Sequence, residues 1–166
     1  MSDEFIKEIQ IDKIPAKGVH CKLQASGATL VDIASRLDVR AVEELVADLK
    51  AEKAGKHITV RGRIIARVEQ QCVISLEPMF SDIDEQVDIT FTTEDETPEF
   101  TEEGEMIVNL DLPEPLEGNV LDLGDLAIQQ LSLAIDPYPR KAGAEPVKDT
   151  GTQPDISPFA ALKELK

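Results

Sequence analysis

Tryptophan is absent from this 166-residue sequence and tyrosine occurs once, so no aromatic-lined cofactor pocket is advertised. Cysteine is almost absent too. Cys21 and Cys72 are the only two, too few for a disulfide framework. No apolar run approaches the roughly 20 residues that span a bilayer. The first ten residues, MSDEFIKEIQ, have neither the basic nor the apolar stretch of a secretory signal. These absences predict a cytoplasmic protein with two reduced thiols and no membrane contact.

The residue patterns of catalysis are missing as well. Gly62, Gly104, Gly118 and Gly124 stand singly, and none has the spacing of a phosphate-binding loop. His20 and His57 are the only histidines. His20 and Cys21 are neighbours, so on a strand their side chains point to opposite faces. His57, beside Ile58, reads as an exposed turn residue. Two Cys and two His without a close pair do not pre-organise a zinc site. Asp82, Asp84, Asp88 and the acidic run at 94–105 lack the ligand spacing and glycine turn of a calcium loop. The expectation is therefore no catalytic residue, no cofactor and no metal.

Basic charge is missing from one long stretch. No Lys or Arg occurs from Ser81 to Pro139. Residues 1–80 carry 12 basic and 12 acidic side chains, whereas residues 81–166 carry 5 and 21, which is the whole net charge of −16. Phosphates would be repelled by the second half, so nucleic acid, if bound, is held by the first half. A basic protein is the natural partner of the second half. No DNA contact is expected.

Alternation of apolar and polar residues is abundant. Residues 4–12 and 18–25 read as strands, and Leu30, Ile33, Ala34 and Leu37 mark a helix near 29–37. Residues 39–53 fit either period. The strand 57–70, with Ile58, Val60, Ile64, Ala66 and Val68 on one face, needs a neighbour. That favours a long hairpin of 39–52 with 57–70. Residues 72–79 read as a short strand, 86–93 as another, and Met106, Val108 and Leu110 as a further one. Asp122 is placed as the N-cap of a helix running to about Ile135, ended by Pro137 and Pro139. The sum is an α+β fold: an antiparallel sheet of five or more strands and two main helices in one domain, 1–139. Residues 140–156 form a flexible linker, and 157–166 a short C-terminal helix opened by Ser157-Pro158.

Two groups of residues are candidates for contact. Arg61, Arg63 and Arg67 share one face of the 57–70 strand and make the densest basic stripe in the chain. They are positioned either to meet RNA or a partner, or to pair with local acids. Phe159, Leu162 and Leu165 fall on one side of the short C-terminal helix. They form a candidate anchor, for the domain itself or for a partner.

The order of these features resembles the YceD-type family of large-ribosomal-RNA accumulation proteins. The residues that carry the resemblance are VRGRIIARVEQQC at 60–72, VLDLGDLAIQQLSLAIDPYP at 120–139 and SPFAALKELK at 157–166. It covers roughly residues 55–166. Many relatives carry a Cys-x-x-Cys pair where this chain has Cys72-Val73-Ile74-Ser75, so no metal or redox role carries over. The resemblance implies a non-catalytic factor in 23S ribosomal RNA accumulation and large-subunit assembly. Such a factor would act through a protein partner, such as a basic ribosomal protein, or by direct RNA binding.

Overall fold

The computed structural model describes residues 5–93, 113–116 and 118–145. In chain order the elements are β1 (Glu8–Gln10), a 3-10 turn (Ile11–Lys13), β2 (Val19–Gln24), α1 (Ala28–Arg36), β3 (Ala41–Ala54) and β4 (His57–Gln71). They are followed by β5 (Pro78–Thr92), β6 (Glu114–Pro115), β7 (Val120–Asp122) and α2 (Leu123–Ala134). A five-stranded sheet runs in the order β2-β3-β4-β5-β6, antiparallel except for the short parallel pair β5-β6, and β1 pairs separately with β7. The expected α+β fold is observed.

The β3–β4 hairpin forms the centre of the sheet. Its inner face is a continuous apolar row: Leu45, Leu49, Ile58, Val60, Ile64 and Val68 have no exposed surface. Burying each such side chain contributes about 1.5–3 kcal/mol. Both helices pack over this face, α1 with Ile33 and Ala34, α2 with Leu123, Ala127, Ile128 and Leu131. Gly62 fits the close approach of β3 to β4, since a Cβ there would lie 2.0 Å from the Asp48 carbonyl oxygen.

Several expectations are corrected. The strand expected at 4–12 ends at Gln10. Ile11 then enters a 3-10 turn closed by the Ile14 N–H on the Ile11 carbonyl, while the Ile11 N–H bonds to the Asn119 carbonyl and its side chain is buried in the core. Residues 72–77 are a turn, closed by Cys72 N–H to the Glu77 carbonyl and Leu76 N–H to the Cys72 carbonyl. The strand expected at 86–93 begins much earlier, at Pro78. His57 is half-buried as the first residue of β4, and its buried Nδ1 has no partner among the described residues. The expected strand at 106–110 and the C-terminal helix at 157–166 lie outside the described residues.

Candidate functional site

Two surfaces stand out, and the first carries the expected arginines. The first is the outer face of the sheet, opposite the helices. Strand alternation puts Arg61, Arg63, Ile65 and Arg67 of β4 on this face, between outward residues of β3 and β5. His20 also points outward, its Nε2 2.5 Å from Asp48, while Cys21 is buried on the inner side.

Each arginine of the stripe is held by carboxylate. Arg61 Nε lies 3.2 Å from both oxygens of Asp88. Arg63 makes a two-pronged pair with Asp84, which holds the Asp84 carboxyl below the usual carboxylate range and raises the guanidinium. Arg67 bridges Glu43 at 3.0 Å and Asp82 at 3.1 Å, and its guanidinium lies over the Phe80 ring at 5.0 Å. Glu43 owes its position to a register shift between Val42 and Glu44 in β3. These pairs are about half-exposed and screened by water, so each adds little to stability. Val46, Ile65, Lys22, Gln86, the Arg61–Asp88 pair and Arg63 line an open depression of about 560 Å³. The face therefore carries a small apolar spot, Val46 and Ile65, beside paired arginines.

The second surface lies at the β4–β5 turn, where two stretches far apart in sequence meet. Val73 N–H donates to the Pro139 carbonyl at 2.9 Å, and Gln70 Nε2 donates to the Asp136 carbonyl at 2.8 Å. The buried Cys72 Sγ accepts from the backbone N–H groups of Lys141 and Ser75, both at 3.4 Å. The Lys141 N–H, then the Ser75 contacts, lower the thiol pKa to about 6 against the opposing effect of burial. Lys141 Nζ also pairs with Glu77 at 2.8 Å. Three residues after Cys72, Ser75 offers its N–H to the Cys72 sulfur. Among the described residues no group of three or more His, Cys, Asp or Glu side chains is arranged for a metal ion. The turn thus fastens the segment after α2 by one hydrogen bond to sulfur and two to backbone carbonyls.

This second surface also exposes apolar side chains that the sequence reading did not single out. Val73 is 42% exposed, Leu76 57% and Tyr138 69%. Leu76 sits at φ 60, a left-handed conformation that costs a residue with a Cβ roughly 1–2 kcal/mol. Period and composition do not flag a turn residue of this kind. The only available signal was a leucine between the polar pair of Ser75 and Glu77, just before Pro78. The anchor residues Phe159, Leu162 and Leu165 lie outside the described residues.

No helix among the described residues is long and apolar enough to cross a membrane. No curated protein and no solved structure matches the chain. One family does: YceD, the large ribosomal RNA subunit accumulation protein, matches residues 60–166. That span starts in β4 and takes in the arginine stripe, the Cys72 turn, the Asp122 cap and α2. The chain belongs to the YceD family of large ribosomal RNA subunit accumulation proteins.

Proposed function

We propose that this protein supports accumulation of large-subunit ribosomal RNA as a cytoplasmic, non-catalytic factor that binds a protein partner, with a basic ribosomal protein the best fit to its acidic half. The observation that carries this reading is the neutralised arginine stripe. Arg61, Arg63 and Arg67 are engaged by Asp88, Asp84, Asp82 and Glu43. An RNA phosphate would have to displace a carboxylate at each of them, and four carboxylates would remain beside it. Sequence-independent RNA affinity depends on unpaired cationic charge that releases counterions. Paired arginines and other polar side chains beside Val46 and Ile65 instead match a protein interface, with a small apolar centre and a polar rim.

The test is affinity recovery of the tagged full chain from lysate at moderate salt, with and without ribonuclease. The expected result is a protein partner retained after ribonuclease and weakened by Ile65→Ser. Purified protein that binds ribosomal RNA with a steep salt dependence, lost in the Arg61→Ala, Arg63→Ala, Arg67→Ala triple variant, would overturn the reading in favour of direct RNA contact.

A further inference from the structure

The apolar patch at the β4–β5 turn has an occupant within the same chain. We propose that the C-terminal segment 157–166 docks in cis on Val73, Leu76 and Tyr138, with Phe159, Leu162 and Leu165 as its anchors.

The patch sits on two segments bonded to each other, Cys72–Glu77 and Asp136–Lys141. It is apolar and open, and Leu76 is presented from a left-handed backbone position. A strained turn that displays a leucine outward gains nothing for the core, so the displayed side chain has a use elsewhere.

Chain geometry identifies the segment. The hydrogen bonds from Val73 to Pro139 and from Lys141 to Cys72 fix the path of the chain beside the patch. The described chain ends a few residues later, at Glu145. Fourteen residues further on stands Phe159. Fourteen residues of chain span at most about 50 Å when fully extended, enough to return to the patch. Tethering sets an effective concentration in the millimolar range, so even a weak three-residue anchor is substantially docked.

The anchor chemistry fits the surface. Phe159, Leu162 and Leu165 recur at i, i+3 and i+6, one side of a short helix, which is the pattern of an amphipathic helix laid on an apolar surface. A helix of one or two turns has an unfavourable nucleus and needs such a support. The family match adds an independent link. It starts at residue 60 and runs to residue 166, so the turn and the C-terminal segment belong to one matched unit while residues 1–59 do not.

The experiment is hydrogen–deuterium exchange on the full chain, read at peptides covering 157–166 and at β4 and β5. A synthetic 157–166 peptide gives the free rate. Docking at millimolar effective concentration should slow exchange in the segment about threefold against that peptide. The Leu76→Ser, Tyr138→Ser double variant should return it to the free rate with β4 and β5 protection unchanged. Should that variant lose β4 protection, Phe159→Ser gives the same reading without touching the domain, because it too should free the rest of the segment. Exchange at the free rate in the wild type, or slowing that survives both variants, overturns the proposal. Slowing that appears only as protein concentration rises also overturns it, because the occupant is then a second copy. Partner recovery plays no part in this readout, so its outcome is separable from that of the proposed function.

Discussion

The Phe5 carbonyl oxygen fills the space that a side chain on Gly124 would need: an added Cβ would lie 1.7 Å from it. The same junction is stitched by hydrogen bonds. Asp122 Oδ1 accepts from the N–H groups of Lys7 at 3.0 Å, Gly124 at 2.8 Å and Asp125 at 3.3 Å. The Leu123 N–H donates back to the Lys7 carbonyl at 3.0 Å. The Asp122-Leu123-Gly124 stretch therefore caps α2 and clamps the N-terminal strand to it.

From that contact, Gly124→Ala should destabilise the fold even though alanine is the better helix former by about 1 kcal/mol. The clash is with backbone, which cannot rotate aside. The expected net loss is about 2 kcal/mol, a fall in thermal midpoint of roughly 8 °C at about 4 °C per kcal/mol. A midpoint equal to or above wild type would show that Phe5 does not hold this position.

Cys72 makes stability pH-dependent. The amide groups of Lys141 and Ser75 lower its pKa to about 6, against about 8.5 for an unfolded cysteine. A depressed pKa means that folding favours the thiolate. The contribution is complete above about pH 8.5 and is lost as pH falls towards 6. Under reducing conditions, urea midpoints of wild type and Cys72→Ser should converge near pH 6 and separate as pH rises to 8.5. Parallel curves across that window would refute the thiolate assignment.

Arg63 and Asp84 form a charge-assisted pair on an exposed face. Its geometry suggests strength, but both groups are about half in water and are screened by salt. A double-mutant cycle with Arg63→Ala and Asp84→Ala should give a coupling no larger than that of an ordinary solvent-exposed ion pair, and one that fades as salt is added. A larger coupling that survives salt would mean the outer face is built for stability and would weaken its reading as an interface.

Much of the frame was legible in the sequence because it rests on period. The alternation of Ile58, Val60, Ile64, Ala66 and Val68 predicted β4, and β4 in turn predicted a partner strand against the helix-like composition of 39–53. The cap at Asp122 was readable from its residue type and the proline stop. The first half of β5 was not readable. Its inward positions include Ser81, half-buried, and Glu85, exposed, so no apolar repeat is required there. The arginine stripe was visible as a parity pattern, but its neutralisation depends on the β4–β5 register, which pairs Arg61 with Asp88 and Arg67 with Asp82. The Cys72 turn escaped notice because its order comes from residues 64 to 69 positions away, Asp136 to Gln70 and Lys141 to Cys72 and Glu77.

Leu76 offers the sharpest separation of stability from use. Its φ of 60 places a Cβ against the following carbonyl, a conflict only glycine avoids. Its side chain is 57% exposed, so truncation forfeits little burial. Leu76→Ala and Leu76→Gly both delete the apolar group, but only glycine relieves the backbone. The glycine variant should therefore be more stable than the alanine variant by about 1 kcal/mol, after allowing for the greater flexibility of unfolded glycine. Denaturant unfolding at one pH and salt concentration reads this directly. Both variants should lose the slowed exchange of segment 157–166 to the same degree, because both lack the leucine side chain. A chain that keeps leucine where glycine is more stable holds it for the contact it makes. Equal stability of the two variants would remove the strain from the argument, and retained protection of the segment in either would remove the contact.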